Sequence, residues 1–294
     1  MKHAILGAGG VGGLVGAVLA GAGHKVTLLL RPETLAVHPA TLSLESPLGS
    51  VRAPVTLAAT LTVDVDVLWV TVKATQLGAA LAAVPKTERA RIVVPLLNGV
   101  DHVALLRRRF GAGVVAGTFG GETERVAPGR IVHSSPWARF VFHDSGKAAL
   151  EPGALALTAF GGAVTFEADE VSLLWRKLAM LAPFALTTSA LSGTIGEVRE
   201  SPPWRARFLD CLGEACQVAR GLGAAVDEAA VVKAFEGFPA GMRSSMSKDV
   251  AAGRPPELDA IAGPILRGGA RLSIALPATT GLVAAVAGRV AKEL

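Results

Sequence analysis

The chain has 294 residues, of which 51% are hydrophobic and 18% charged, and a net charge of +5. So apolar a composition excludes a disordered chain, and the length is more typical of two domains than of one. The small positive charge is compatible with an anionic small-molecule ligand. The densest basic run, Arg107 to Arg109, follows a helix-like segment without interleaved aromatic residues. We interpret it as a solvated helix end and expect no nucleic-acid partner.

In chain order, the N-terminal half predicts strands that alternate with helices. The predicted elements are strand 2–6, helix 11–22, strand 25–30, strand 65–73, helix 74–84, strand 91–97, helix 101–110, short alternating strands over 113–144, and a helix and strand within 154–170. Apolar strands that are each followed by a helix are typical of a parallel sheet covered on both faces. We interpret the short strands over 113–144 as an edge extension of that sheet.

Beyond Glu167 the strand pattern stops, and residues 171–294 predict helices almost throughout. We therefore predict an α/β Rossmann-like domain over 1–167 and an all-α domain over 168–294. The uncharged run 178–196 approaches the ~20 residues of a membrane-spanning helix. Pro183, three consecutive hydroxyl residues and a Ser-Gly pair interrupt this run, so we expect a buried helix and no membrane span.

The remaining compositional signals concern the compartment and metal binding. Cys211 and Cys216 are spaced neither as a metal site nor as a disulfide framework, so we expect two reduced core residues and no metal. The chain begins with a strand and a glycine turn where a signal peptide would have its apolar block. We therefore expect a cytoplasmic protein.

The first strand is followed by a glycine turn of the pattern G-x-G-x-x-G. In this context the pattern predicts a dinucleotide site, because glycines permit a tight turn, close approach to a pyrophosphate and close packing of the next helix. The free amides at the helix N-terminus would face the phosphates. A plain glycine-rich turn is the alternative. The predicted cofactor-binding residues here are Gly7, Ala8, Gly9, Gly10, Val11 and Gly12.

The end of the second strand indicates which dinucleotide is bound. An NAD site usually has an acidic residue there, whereas this chain has Leu30-Arg31-Pro32 and no carboxylate until Glu33. An arginine can pair with the 2′-phosphate of NADP. We therefore predict NADP(H) with Arg31 as a ligand, the alternative being an ordinary surface side chain.

Two polar residues end later strands of the predicted sheet. Lys73 ends the strand 65–73, and Asn98 follows the strand 91–97. Ligands of open α/β sheets bind where strands end, so both residues are candidates for the same site as the glycine turn. A solvated lysine and an ordinary Asn-Gly turn are the alternatives.

Taken together, these segments resemble the ketopantoate reductase (2-dehydropantoate 2-reductase) family. The resemblance runs nearly the full length and is most specific in the last of its blocks, which are "GAGGVGG", Arg31, "VTVKATQ", "PLLNGVD", "WRKL" and "SSMSKDVAAGRPPELDAIAGPI". It implies NADPH-dependent reduction of a 2-oxo acid, as in pantothenate biosynthesis. It also implies a helical domain, like the C-terminal domain of 6-phosphogluconate dehydrogenase, that covers the cofactor and helps to hold substrate. The apolar composition of this half of the chain is compatible with a homodimer.

The resemblance also implies roles for individual residues. Lys177 of the "WRKL" segment corresponds to the catalytic acid, and Glu257 assists it. Asn98, Ser245 and Glu257 correspond to residues that hold substrate and the nicotinamide ribose, and Lys73 to a cofactor residue. Hydride addition to a ketone leaves an alkoxide, which a lysine ammonium can stabilise and protonate. The alternatives are a lysine that snorkels from a buried helix and a glutamate that caps one.

The chain departs from the family pattern below the lysine. Family members have asparagines four and eight residues after the catalytic lysine, and this chain has Leu181 and Ala185. These positions share one helix face with Lys177, and Pro183 between them is expected to interrupt the helix. We predict that Leu181 and Ala185 line a changed substrate pocket, for a bulkier or more apolar carbonyl compound.

Two other functions are compatible with the same sequence. One is an NADP-binding sensor that kept the cofactor half and lost turnover. The other is a different dehydrogenase with the same two domains, of the opine or 6-phosphogluconate type, because fold alone does not decide function. Retention of Lys177, Ser245 and Glu257 favours the reductase, since a sensor needs no proton donor.

Overall fold

The computed structural model describes residues 1–85 and 89–293. These residues form two compact units. The first comprises Met1–Leu97 and His102–Leu173, and the second comprises Asn98–Asp101 and Leu174–Leu294. The main division therefore falls a few residues beyond the expected boundary at Glu167. In addition, residues Asn98–Asp101 belong to the helical unit.

The first unit contains all the strands of the described chain. The strands are β1 Lys2–Leu6, β2 Lys25–Leu29, β3 Thr41–Glu45, β4 Val51–Pro54, β5 Thr56–Ala58, β6 Val65–Val70, β7 Ala90–Pro95, β8 Gly117–Gly120, β9 Thr123–Ala127, β10 Arg130–His133, β11 Arg139–His143 and β12 Ala163–Glu167. Its helices are α1 Gly10–Gly21, α2 Pro32–Leu35, α3 Leu77–Ala80, α4 Asp101–Phe110 and α5 Lys147–Ala159.

The central sheet is parallel and has the strand order β5-β2-β1-β6-β7. Its central strands read as continuous apolar runs because side chains on both faces are buried, as in a sheet covered by other elements. β1, for example, buries His3 to Leu6, and Trp69 of β6 is fully buried. The order places β1 and its glycine turn in the middle of the sheet. This architecture confirms the predicted Rossmann-like parallel sheet.

The short strands do not extend this sheet as expected. They belong to two further sheets, of order β4-β3-β10-β9 and β12-β11-β8. Their pairing is long-range, since β10 lies parallel to β3 with Ile131 opposite Leu44. The expectation was wrong because local alternation predicts a strand but does not identify its partner.

Two other predicted elements are shorter than the sequence indicated. β6 ends at Val70, so Lys73 lies beyond the strand and directly precedes a 3₁₀ turn over Ala74–Gln76. The predicted helix 74–84 consists of α3 between two 3₁₀ turns. Small residues dominate this segment, and it has few large apolar side chains to bury, mainly Leu77 and Leu81. Most helical stability in proteins comes from such burial, so a segment with few anchors does not sustain a long helix.

The second unit is helical, as predicted. Its helices are α6 Glu170–Leu191, α7 Ile195–Glu200, α8 Pro202–Gly221, α9 Glu228–Gly237, α10 Ser245–Ala251, α11 Leu258–Leu272 and α12 Pro277–Glu293. Its core includes Phe208 and Phe235, whose rings stack with centroids 3.8 Å apart. Cys211 and Cys216 are free thiols buried in this core. Within the described residues, no helix combines the length and apolarity needed to cross a bilayer.

The α6 helix runs through Pro183 without ending there. The interruption expected at Pro183 is thus confined to the loss of a backbone hydrogen bond within a continuous helix. Proline has no N–H, so the carbonyl one turn earlier loses its usual partner. Hydroxyls on the following turn bond to helix carbonyls: Thr187 Oγ1 donates to the Pro183 carbonyl at 2.6 Å, and Thr188 Oγ1 to the Phe184 carbonyl at 2.7 Å. Most of the uncharged run, as far as Leu191, thus lies in one buried helix, as predicted.

Candidate functional site

The glycine turn joins β1 to α1 and is shaped by positions that exclude a side chain. Gly7 has a φ of +108°, and a Cβ there would lie 2.7 Å from the Val72 nitrogen. A Cβ on Gly12 would lie 2.1 Å from the Gly7 carbonyl oxygen, so α1 can start this close to the turn only without a side chain. Gly10 is likewise excluded from carrying one, by Thr123 of β9.

Gly9 differs from these three glycines because the space beside it is open. A Cβ on Gly9 would meet no atom within 4 Å, and Gly9 is the extended residue that precedes α1. Its carbonyl accepts from the Gly13 N–H at 2.8 Å and so begins the helix. A side chain would fill this space, and its absence leaves room for a phosphate group against the first free amides of α1. The residues present therefore fit the pyrophosphate of a dinucleotide.

Thr71, which sequence reasoning passed over, holds the turn from the adjacent strand. Its hydroxyl donates to the Gly7 carbonyl at 2.8 Å, and its N–H donates to the Leu6 carbonyl at 2.9 Å. The available signal was a hydroxyl residue directly after a buried apolar strand. Lys73 follows two residues later, at the start of the turn Ala74–Gln76, and is partly buried.

Arg31 lies just past the end of β2, as the sequence predicted for a residue that selects the cofactor. It is the N-cap residue of α2, with Pro32 in the first position of that helix. The Arg31 Nε lies 3.3 Å from Oε1 of Glu33, and both side chains are largely exposed. A cation and an anion therefore sit together where a dinucleotide site has its ribose-recognising residue.

In the second unit, Lys177 lies in α6 and is partly buried. Burial lowers the pKa of its ammonium from 10.5 to about 8, against the opposing effect of the Glu257 carboxylate, which raises it. A pKa near neutrality suits a group that must carry a proton and also give it up. The sequence predicted this lysine, and the structure adds its electrostatic environment.

Glu257 is the N-cap residue of α11, but its side chain does not cap the helix. It is buried, and its Oε2 accepts from Asn98 Nδ2 at 3.2 Å. The structure thus brings together Asn98 and Glu257, which are 159 positions apart in the chain. The amide holds the carboxylate in one orientation while leaving its charge in place to act on Lys177.

The segment that carries Asn98 is anchored on α11. Gly99 has a φ of +85°, and a Cβ there would lie 2.3 Å from the Ala260 carbonyl oxygen. Arg267 donates to the carboxylates of both Asp101 and Asp259. Arg267 and Asp101 were not singled out in the sequence, because their charges look like ordinary helix-surface residues. Together these contacts fix the Asn98 amide relative to Glu257.

The helix face below Lys177 is apolar, as the sequence indicates. Ala185 is completely buried in the helical core, and Leu181 is partly buried beside it. Leu181 is therefore the more accessible of the two. Ala185 has no exposed surface, so of the two only Leu181 can contact a ligand, and it can do so only through apolar contact and shape.

Ser245, which the sequence predicts as a substrate ligand, lies in the helical unit. It is the first residue of α10 and is exposed. Its buried neighbour Ser244 makes the local contacts, since the Ser244 hydroxyl caps α10 by accepting from the Ser247 N–H and lies 2.9 Å from the Thr188 hydroxyl of α6.

Known proteins resemble this chain over most of its length. Two family models match the chain: "Ketopantoate reductase PanE/ApbA" over residues 3–146 and its C-terminal counterpart over residues 171–290. The uncharacterized oxidoreductase YkpB of Bacillus subtilis (strain 168) is 30% identical over 287 residues, which are 94% of this chain and 95% of that protein.

Solved structures show the same fold over the whole chain. A ketopantoate reductase of this family from Ralstonia eutropha JMP134 superposes with a TM-score of 0.88 at 29% identity, covering 100% of this chain and 99% of that one. D-mandelate dehydrogenase, solved with NADH and anilino(oxo)acetate, superposes with a TM-score of 0.87 at 22% identity and the same coverage. The likeness extends over both units, and the chain therefore belongs to the ketopantoate reductase family of nicotinamide-dependent oxidoreductases.

Proposed function

We propose that this chain is an NADPH-dependent reductase of a 2-oxo acid, with Lys177 as the proton donor. The observation that carries the proposal is the partly buried lysine whose pKa is lowered to about 8 and which feels the charge of a carboxylate that Asn98 holds in place. A bound dinucleotide would supply the hydride. The chain's own residues hold the reactants and deliver the proton to the carbonyl oxygen.

Lys177 has two tasks in this reaction. As an ammonium it donates a hydrogen bond to the substrate carbonyl, which stabilises the negative charge that develops on the oxygen. It then transfers a proton to that oxygen, and its lowered pKa makes this transfer easier than for an exposed lysine. Glu257 opposes the effect of burial and so keeps the lysine protonated near neutral pH.

Residues of the first unit support binding of the dinucleotide. The open space at Gly9 and the free amides at the start of α1 suit a pyrophosphate, while Arg31 at the end of β2 suits a 2′-phosphate. Lys73, near the same edge of the sheet, adds a second positive charge. These features favour NADPH as the physiological cofactor.

The substrate class follows from the apolar face below Lys177. Family members place two asparagines where this chain has Leu181 and Ala185, so the hydrogen bonds that these amides would offer a polar substrate are lost. A site without them should favour a 2-oxo acid with a bulkier apolar substituent over ketopantoate. The structural neighbour D-mandelate dehydrogenase was solved with anilino(oxo)acetate, which also has a large apolar group, and this supports such a substrate.

The test is steady-state NADPH oxidation with ketopantoate, phenylglyoxylate and 2-oxo-4-methylpentanoate. We expect kcat/KM to be about tenfold or more higher for the better apolar acid than for ketopantoate, because lost hydrogen bonds to a polar substrate cost at least that much. Efficient reduction of ketopantoate would contradict the changed substrate pocket. NADPH binding without turnover on any carbonyl compound would contradict the reductase and support a sensor.

Replacement of the proton donor gives a second measurement. Lys177→Met should lower kcat on the best substrate by about 10²- to 10⁴-fold, the usual contribution of a general acid. Lys233→Met, on the exposed face of α9, is the matched control and should leave kcat unchanged. A Lys177→Met protein that retains more than a tenth of wild-type kcat would refute the assigned role.

A further inference from the structure

The end of β2 carries two opposite charges that lie within contact of each other. Arg31 Nε is 3.3 Å from Glu33 Oε1. The side chains are 75% and 66% exposed, so both can reach a ligand in solvent. A site dedicated to a 2′-phosphate needs an excess of positive charge, and this pair has none.

Local geometry places the carboxylate beside the guanidinium. Arg31 is extended, with ψ at 149°, and Pro32 then starts α2. Glu33 therefore falls in the first turn of α2, where a carboxylate is electrostatically favoured. The pairing is thus set by the backbone of this short stretch as well as by attraction between the two side chains.

The neighbouring strand adds no charge to balance Glu33. β5 is the strand beside β2, and the Leu30 N–H donates to the carbonyl of its last residue, Ala58, at 2.9 Å. β5 continues into Ala59 and Thr60, which are uncharged. The charges that follow the ends of β2 and β5 therefore come from Arg31 and Glu33.

We propose that Glu33 is a specificity-determining residue that makes this chain accept NADH as well as NADPH. The inference rests on the proposed dinucleotide site and concerns the cofactor it takes. Arg31 attracts a 2′-phosphate, and Glu33 both competes for Arg31 and repels that phosphate. With NADH, the Glu33 carboxylate can accept hydrogen bonds from the ribose hydroxyls, the role that acidic residues have in NAD sites.

The size of the effect follows from the charges and their exposure. Like unit charges ~6 Å apart in water change a binding constant about threefold for each pair. With a phosphate charge approaching −2, the penalty is about three- to tenfold. Salt screens exposed charges, so the penalty should shrink as ionic strength rises.

The experiment is equilibrium titration of the intact protein with NADP⁺ and NAD⁺ by calorimetry, at low and high salt, without a carbonyl substrate. We expect wild-type dissociation constants for the two to differ by less than about thirtyfold. Glu33→Gln should tighten NADP⁺ binding about three- to tenfold without tightening NAD⁺ binding. Glu33→Ala removes the same charge and provides a second variant. Glu151→Gln, exposed on α5, is the matched control and should change neither constant.

Arg31→Gln tests the contribution of the arginine independently of Glu33. It should weaken NADP⁺ binding about tenfold or more and change NAD⁺ binding little, since only NADP⁺ has a phosphate to lose. A wild-type preference for NADP⁺ above about thirtyfold would overturn the inference. So would Glu33 variants whose ratio of NAD⁺ to NADP⁺ dissociation constants equals that of the wild type. These results would leave the proposed function intact. Binding of neither dinucleotide would overturn both.

Discussion

At the level of single residues, the candidate site depends on contacts between distant parts of the chain. Lys177, Glu257 and Asn98 were all predicted, but only through a resemblance to a family whose motifs they match. Composition and spacing alone left each with an ordinary alternative, such as a snorkelling lysine or a helix cap. What the sequence could not provide is the bond from Asn98 to Glu257, because it joins residues 159 positions apart.

The lowered pKa of Lys177 predicts how the reaction depends on pH. The lysine acts in its protonated form, so kcat for reduction should be constant at low pH and fall as pH rises through about 8. Glu257→Gln removes the carboxylate that raises the lysine pKa, and should move this fall to lower pH. Rate profiles from pH 6 to 10 measure both. A shift to higher pH in Glu257→Gln would show that the carboxylate does not support the ammonium.

At the level of elements, prediction succeeded where burial is decided by nearby residues. β1 and α4 have the predicted bounds, and the uncharged run 178–196 lies largely in one buried helix. Prediction failed where the partner is remote: β10 pairs with β3 across the chain, and no local pattern reveals that. The prediction of one helix over 74–84 failed for a related reason, since the extent of a helix depends on tertiary packing.

The N-terminus of α12 gives a prediction at this level. Glu214 of α8 accepts from the Ala278 N–H at 2.8 Å and the Thr279 N–H at 2.7 Å, two of the amides that a helix start leaves free. Glu214→Ala should leave both partly buried amides without this acceptor and lower stability by about 2 kcal/mol. Thermal unfolding measures the loss. Glu200→Ala, exposed on α7, should shift the melting temperature little, and an equal shift in both variants would refute the capping role.

At the level of the whole molecule, stability should fall in mild acid. The pKa values of three histidines, His3, His24 and His133, are all lowered, chiefly by burial, and that of His3 falls to about 3. Trp69 Nε1 donates to His3 Nδ1, so His3 Nε2 must carry the hydrogen and donate to His24 Nδ1, 2.8 Å away. A proton on His24 Nδ1 would break this chain. The amino terminus also opposes protonation of His3, while Asp66 favours it.

The sign follows from comparing the folded and unfolded states. Below pH 6.5 the unfolded chain binds a proton at His3, whereas the folded chain does not bind it until about pH 3. The contribution of His3 to stability is therefore fully present above pH 6.5 and is lost as the pH falls below it. Between pH 6.5 and 5, the effect of His3 alone should lower the free energy of unfolding by about 2 kcal/mol. Urea unfolding at several pH values measures this. His24→Gln should reduce the dependence of the free energy of unfolding on pH. A free energy of unfolding that is constant from pH 7.5 to 4.5 would contradict the lowered histidine pKa values.

The four residues Asn98–Asp101 have a consequence for how such a protein can be rebuilt. They lie within the sequence of the α/β half but belong to the helical unit, where Gly99 packs on Ala260 and Asp101 pairs with Arg267. A recombinant chimera that joins this α/β half to a relative's helical half would therefore place Asn98–Asp101 against a relative's residues at the positions of Glu257, Ala260 and Arg267. Exchange between family members should succeed only when this tetrapeptide is transplanted together with the helices that it contacts.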